Sequence, residues 1–398
     1  MTGRRSDRKI AKTDTVSSSG DCSYIEMDYK ETLKLKQELV KRSIGKSCSR
    51  IEPVVGADDP YHYRNKVYAA FGRDRSGIIC GQYEPGSHRI VPDKNNPLEN
   101  KTASQIIETI RVLAGKFKVS IYDERTRSGL LRGVLVRTAD GTGEVMVVIV
   151  IAEPVFPGKK EFVKRLVSEH PVIKTVVFNI NRRTDSMILG DKTETAYGPG
   201  AITDELCGMR FMISPESFYQ INHDQAEKLY DLAIGYADLK PGDKVLDAYC
   251  GTGTIGMVAS KTGCKVTGVE LNRRATEDAK INKKINNVSN ISFINDDATR
   301  YIEQSAVRGN KYDVIILDPP RSGTTPEFIR ACGKLAPQRI VYVSCDPKTL
   351  GRDLGLFEKE GYKAVTATPV DMFCFTEHVE VVSLLQRVSI TRIRNDHS

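Results

Sequence analysis

The stretch "VYVSCDP" (341–347) puts Cys345 where an apolar run ends against a proline. Further on, "HVE" (378–380) puts a carboxylate, Glu380, at the head of another apolar run, "VEVVSLLQRV". Upstream, "LDPPRSG" sets Asp318 in front of two prolines. A cysteine in an apolar run is, by itself, a small hydrophobe that fills a core. Paired with a positioned carboxylate, it is a nucleophile with a base: the thiolate adds to an electron-poor carbon and the carboxylate collects a proton. Such a cysteine needs surroundings that favour the thiolate. The elements that frame these residues decide between the two readings.

From about residue 216 the chain alternates. "NHDQAEKLYDLAIGYA" reads as a helix with Asn222 as N-cap and Gln225 three residues on. Strand-like runs "KVLDAYC", "KVTGVEL", "ISFIND", "YDVIILDPP" and "RIVYVSCDP" then follow, separated by helix-length segments, with "KAVTATPVD" and "VEVVSLLQRV" as closing strands. This rhythm predicts βαβ units and a mostly parallel sheet, a Rossmann-like α/β fold. Ligands of such sheets bind beyond the carboxyl ends of the strands, which is where Asp318 and Cys345 fall.

The first βα turn, "VLDAYCGTGTIG", carries glycines at 251, 253 and 256, which allow a tight turn and close approach of backbone to ligand. Nicotinamide and flavin domains share that spacing. Asp247 before the loop, Glu270 ending the second strand and "LDPPR" after the fourth favour S-adenosylmethionine (SAM) instead. Glu270 is placed to accept hydrogen bonds from two ribose hydroxyls. Asp296 and Asp297 follow the third strand, where an acid meets an adenine amino group; the alternative is a solvated loop. The prolines after Asp318 stiffen their loop. Enzymes that methylate exocyclic nitrogens often have an aromatic residue after the second proline, and here the residue is Arg321.

Before residue 216 the signals are different. Residues 1–21 read as a disordered basic tail. Residues 22–100 combine a helix, "YKETLKLKQELVKRSIG", with short strands. Residues 101–215 open on a helix, "ASQIIETIRVLAGKF", and continue as strands "KVSIYDE", "GLLRGVLVRTADGTGEVMVVIVIA" and "TVVFNINRR", an α+β block with an antiparallel sheet. Residues 216–398 form the α/β domain. The net charge of +8 favours a polyanionic partner. Arg125, Arg127, Arg132 and Arg137 lie in one strand-rich stretch and could track phosphates; the alternative is a solvated sheet face. Nine scattered cysteines with no C-x-x-C pair argue against a disulfide framework or zinc knuckle, and for free thiols in a reducing cytosol. No apolar run is long enough to span a membrane.

A thiolate, a carboxylate and a methyl-donor pocket suggest one chemistry, methylation of carbon 5 of uracil, which is activated when a thiolate adds at carbon 6. "SFYQIN", "DAYCGTGTIG", "DPPRSG", "SCDP" and "HVE", in that order, resemble the SAM-dependent RNA uracil-5-methyltransferases over about residues 22–388. "YRNK" (63–66) and "GQYEPGSHRIV" (81–91) add to the likeness, whose nearest branch is the 23S rRNA enzymes. The resemblance implies Cys345 as nucleophile and Glu380 as proton acceptor. It implies Gln220, Tyr249, Glu270 and Asp318 at the cofactor, beside Gly251 of the glycine loop and Asp297 after the third strand, and Asp318 and Arg64 at an RNA substrate in the cytoplasm. Many relatives hold an iron–sulfur cluster on four cysteines. Only Cys22 keeps that register, so no cluster or other metal is expected. Many also begin with a small β-barrel that binds RNA, for which the tail here is too short. Two alternatives stay open: a tRNA uracil-5-methyltransferase, and a non-catalytic RNA-binding protein on the same fold. Oligomeric state is open as well.

Overall fold

The computed structural model describes residues 22–84, 86–92 and 96–388. The basic tail expected over 1–21 lies outside them. The described chain runs α1 (Tyr29–Ile44), β1 (Lys66–Asp74), β2 (Gly77–Tyr83), β3 (Ile90–Pro92), α2 (Lys101–Lys116), β4 (Leu131–Thr138), β5 (Val145–Ile151), α3 (Lys159–Glu169), β6 (Ile173–Ile180), β7 (Lys192–Tyr197), β8 (Ile202–Leu206) and β9 (Met209–Ile213). It continues α4 (His223–Ala237), β10 (Lys244–Ala248), α5 (Thr254–Ser260), β11 (Lys265–Glu270), α6 (Arg273–Ile285), β12 (Ile291–Asn295), α7 (Ala298–Val307), β13 (Val314–Leu317), α8 (Pro326–Leu335), β14 (Arg339–Ser344), α9 (Pro347–Lys359), β15 (Tyr362–Val370) and β16 (Glu380–Arg387).

The C-terminal sheet has seven strands in the order β12-β11-β10-β13-β14-β16-β15. The first five are parallel, and β16 runs antiparallel to both of its neighbours. β13 and the middle of β14, Ile340–Val343, are apolar because helices cover both sheet faces. The expected Rossmann-like α/β fold is therefore the observed one. α4 starts where the sequence places it: Asn222 accepts from the Gln225 amide at 3.3 Å.

The second sheet also has seven strands, β3-β2-β1-β4-β5-β6-β7, with α2 and α3 sharing a core with it. It is antiparallel except for β5 and β6, which pair in parallel because α3 carries the chain back between them. "KVSIYDE" forms no strand. Lys118 takes a positive φ of 50°, and the Asp123 carboxylate accepts from the Thr126 amide at 2.8 Å, so a turn forms and only isolated bridges at Ile121 and Asp123 remain.

Residues 22–100 divide between the two sheets. β1, β2 and β3 join the N-terminal sheet, whereas Cys48, Ile51 and Val55 bridge to Ala364, Ala367 and Val370 on β15. α1 buries Thr32, Lys36, Val40 and Ile44, a stripe at four-residue spacing, against the C-terminal sheet's side of the molecule. Among the described residues no helix is long and apolar enough to cross a membrane.

The arginines of the central block split as well. Arg125 and Arg127 are exposed. Arg132 stacks over the Tyr122 ring at 4.4 Å and donates to the carbonyls of Asn181 (3.0 Å) and Arg183 (2.7 Å). Arg137 is 2% exposed and donates to the carbonyls of Ser214 at 2.9 Å and Ser217 at 2.7 Å. It ties β4 to the segment that enters α4 and cannot track a phosphate. Arg137→Met leaves two inward carbonyls without their donor and should lower stability by about 2 kcal/mol. Arg125→Ala should leave stability within about 0.5 kcal/mol. Urea unfolding of the two variants checks the contrast.

Candidate active site

β10 ends at Ala248, and the loop after it is strained. Tyr249 has φ of 62°, a backbone region that an aromatic residue adopts only when its surroundings impose it. Three hydrogen bonds impose it here. The Cys250 amide donates to Val269 O at 3.1 Å, the Gly253 amide to Cys250 O at 2.8 Å, and the Gly251 amide to Glu270 Oε2 at 3.0 Å. Gly253 has φ of 83°, and a Cβ there would lie 2.5 Å from the Phe293 ring. A Cβ on Gly251 would meet only open space, so this backbone faces an accessible cradle.

Asp247 supports the turn from below. One of its carboxylate oxygens accepts from the Gly256 amide at 2.9 Å, while the other is buried without a partner. Burial pushes this carboxyl up to about 8. An open glycine cradle, an orphaned acidic oxygen beneath it and a carboxylate at the end of the next strand fit an adenosyl cofactor. Glu270 binds both sides of that cradle, since its Oε1 also accepts from the Asn272 amide at 2.7 Å. Asp297 is the N-cap of α7 and accepts from the Arg300 amide at 2.9 Å, while Asp296 takes the Arg300 Nε at 2.6 Å. Tyr249 stands over the cleft with its hydroxyl 2.9 Å from Thr324 Oγ1. Gln220 hydrogen-bonds the Tyr230 hydroxyl, which lies 2.8 Å from Thr254 Oγ1 at the start of α5.

The reactive groups meet at the same edge of the sheet. In the β14–β16 ladder Ser344 pairs with Val381, so the next residues, Cys345 and Glu380, leave the ladder side by side. Asp318 follows β13 one strand over, its amide 3.3 Å from Ala248 O. Cys345 is partly open to solvent, and Glu380 is 6% exposed. Burial pushes the thiol up to about 12, and the negative charges of Glu380 and Asp318 push in the same direction. Burial, then Asp318, raises Glu380 to about 8, and burial raises Asp318 to about 7. The Arg321 guanidinium opposes the shift at both Cys345 and Glu380.

Arg321 is held by a built loop. Thr324 donates its amide to Asp353 Oδ2 at 3.0 Å, Tyr342 its hydroxyl to the same oxygen at 2.7 Å, and Arg352 reaches Ser322 O at 2.8 Å. Gly323 has φ of 76°, and any side chain there would collide with the Asp353 carboxylate. The far side of Arg321 lies 3.4 Å from His378 Nε2.

Three groups therefore converge: Cys345, Glu380 and Asp318 at the rim, Tyr249, Gly251, Glu270 and Asp297 around the loop, and Gln220 beside them through Tyr230. Arg64 stands on the Gln220 side. The neighbouring Asn65 donates its side chain to Gln220 O at 2.9 Å and its amide to Ile221 O at 3.0 Å. Sequence reading noted Arg321 only as a missing aromatic; its place after the two prolines, beside two acids, was the available signal. It passed over Phe218, whose ring is 68% exposed on the Gln220 segment. Asp353 carried no sequence signal, because its role depends on how α9 packs. Cys22 is buried with Tyr63, Leu98, Cys374 and Phe375.

This sheet order, glycine cradle and acidic second strand define a methyltransferase domain of the SAM-binding class. A family model described as tRNA (Uracil-5-)-methyltransferase matches residues 202–388. An RNA methyltransferase of Clostridium tetani is 40% identical over 375 residues, covering 94% of this chain and 82% of the relative. Another, from Caldanaerobacter subterraneus, is 41% identical over 375 residues, covering 93% and 82%. The solved structure of Pyrococcus abyssi tRNA (uracil-54, C5)-methyltransferase in complex with S-adenosyl-L-homocysteine matches with a TM-score of 0.76 at 28% identity, over 92% of this chain and 85% of that one. The chain belongs to the SAM-dependent RNA uracil-5-methyltransferase family.

The raised carboxyls have a stability consequence. Folded Glu380 keeps its proton to about pH 8, whereas an unfolded glutamate loses it near about 4.3. Between those values the folded state binds the extra proton, so stability falls as pH rises, by up to about 1.4 kcal/mol per pH unit. Glu380→Gln removes this group from the balance. The drop in urea midpoint between pH 5.5 and 8 should be smaller in the variant than in the native protein, and equal drops would contradict the raised carboxyl.

Proposed function

We propose that the protein transfers a methyl group from SAM to carbon 5 of a uridine in RNA through a covalent adduct between Cys345 and carbon 6. The observation that carries this reading is the ladder register that leaves Cys345 and Glu380 side by side at the cofactor edge. The Cys345 thiolate forms a bond to carbon 6, and the electron pair of the carbon 5–carbon 6 bond moves toward the carbon 4 oxygen, making carbon 5 nucleophilic. Bound SAM would supply the methyl group, its sulfonium–methyl bond breaking as the carbon 5–methyl bond forms, with S-adenosylhomocysteine as the leaving group. Glu380 then removes the carbon 5 proton, the double bond re-forms, and the sulfur–carbon bond breaks to release the thiolate. Arg321 favours the two anionic forms, thiolate and carboxylate, that the steps require.

Tyr249, Gly251, Glu270 and Asp297 would hold the adenosyl part, with Gln220 at the methyl-bearing end and Asp318 between donor and base. The target uridine must be unpaired or flipped out to reach the thiol. The exposed Phe218 ring and Arg64 would contact the RNA around such a base. The motif set points to 23S rRNA. A tRNA target is the second reading, favoured by the Pyrococcus abyssi structure, whose title names uracil-54 of tRNA. Either substrate implies work in the cytoplasm.

Incubation with labelled SAM and total RNA, followed by sizing of the product, separates the readings. Label in 23S rRNA is expected; label confined to tRNA would move the assignment, and none at all would favour a non-catalytic RNA-binding role. Cys345→Ala should abolish transfer while SAM still binds. Glu380→Gln should slow release by about 10²–10⁴-fold, so that a protein–RNA adduct survives on a denaturing gel; turnover in Cys345→Ala would refute the covalent route.

A further inference from the structure

Glu380 is aimed by the segment that leads to it. Residues 371–379 form the loop between β15 and β16, and its two ends meet where Val370 pairs with Glu380. Asp371, the first residue of the loop, is fully buried and so is Lys36 of α1. The Lys36 ammonium donates to Asp371 Oδ1 and to Phe373 O, the latter at 2.8 Å. Tyr29, two turns earlier on the same helix face, donates its hydroxyl to Asp371 Oδ2 at 2.7 Å and accepts from the Ala57 amide at 2.7 Å. The loop backbone is gripped from other sides as well. Asp371 O accepts from Gln225 Nε2 at 3.1 Å, Met372 O from Asn222 Nδ2 at 3.2 Å, and Cys374 O from the Tyr63 hydroxyl at 3.1 Å.

A lysine in the buried stripe of a helix is a poor way to gain stability. Desolvating the two charges offsets most of their attraction, and an apolar side chain of similar length often packs as well or better. What an ion pair supplies that a methionine cannot is direction: it fixes one carboxylate and two stretches of backbone relative to each other. The element so fixed ends at Glu380. Cys345, by contrast, directly follows β14, outside the loop.

We propose that Lys36 is a positioning residue for the proton-removal step: with Tyr29 it locks Asp371, and through the 371–379 loop it holds the Glu380 carboxylate against the carbon 5 proton. The inference rests on the reading of Glu380 as proton acceptor. Proton transfer depends steeply on the geometry between base and carbon, so displacement of the loop slows elimination while thiol addition and methyl transfer proceed from their own strand and cleft. The signature is a shift in which species accumulates.

The test uses the full chain with SAM and substrate RNA, and measures the fraction of protein in adduct on a denaturing gel alongside SAM affinity and thermal unfolding. Lys36→Met should raise the adduct fraction at least about fivefold over native at unchanged SAM affinity. Tyr29→Phe, which keeps the ring against Phe375 and removes only the hydroxyl, should raise it less. A purely structural role would lower the unfolding temperature or slow all steps together and leave the adduct fraction at the native level. That outcome, in a set where Glu380→Gln does accumulate adduct, overturns the inference. Absence of adduct in Glu380→Gln itself overturns the underlying reading of Glu380. Should Lys36→Met fail to fold, Tyr29→Phe decides by the same criterion.

Discussion

The site depends on one antiparallel strand wedged into an otherwise parallel sheet. In parallel strands only carboxyl ends reach the ligand edge, and β13 and β14 bring Asp318 and Cys345 there in that way. A residue that begins a strand can reach the same edge only if its strand runs the other way. β16 does so, and its first residue is Glu380. Register matters as much as direction. Side chains alternate across a strand, so a slip of one residue between β14 and β16 would turn Glu380 to the opposite face. In the observed register Val381, Val382 and Leu385 are fully buried opposite Ser344, Val343 and Ile340.

This arrangement crowds acids. Burial makes all three harder to ionise; Glu380 and Asp318 add to the effect at Cys345, and Asp318 adds to it at Glu380. Near neutral pH burial favours the protonated forms of Cys345 and Glu380. Positive charge delivered to the rim lowers all the members together, since an opposite charge within a few ångströms favours every anionic form it faces. Arg321 is the part of that charge that the protein supplies. Its placement explains why the "DPPRSG" loop is built so firmly: the Gly323 backbone and Thr324 amide close against Asp353, which also takes the Tyr342 hydroxyl. A mobile arginine would lose most of its effect to solvent screening.

Much of this was legible in the sequence, and the failures share a cause. The glycine loop and Glu270 could be read because a tight turn after a strand imposes local demands on residue type. The α/β rhythm could be read because helix and strand periods differ. Arg137 could not, because strand alternation says which residues share a face but not what packs on it; the face turned out to meet the 214–217 segment. Lys36 resembled the other lysines of a surface helix, since its partner Asp371 lies at the far end of the chain. The "KVSIYDE" run failed for the opposite reason: an Asp–Thr turn and a left-handed Lys118 overrode its β-branched composition. Local chemistry was visible, whereas pairing between distant segments was not.

Such distant pairing also fixes how the two sheets face each other. The chain leaves the C-terminal body after Tyr63, builds the β1–β7 sheet, and returns through β8 and β9. Neighbouring strands of that sheet are bonded to the returning segment: Asn65, just ahead of β1, to Gln220 and Ile221, and Arg137 of β4 to Ser214 and Ser217. Two anchors on adjacent strands remove the freedom to rotate that a single tether would leave. Arg64, next to the first anchor, and Phe218, next to the second, are therefore set at fixed offsets from Gln220 and from the thiol rim beyond it. On the proposed reading, an RNA loop that touched both would be registered against Cys345 by backbone geometry rather than by its own flexibility, and the same few hydrogen bonds that join the sheets would select the nucleotide that reaches the thiol.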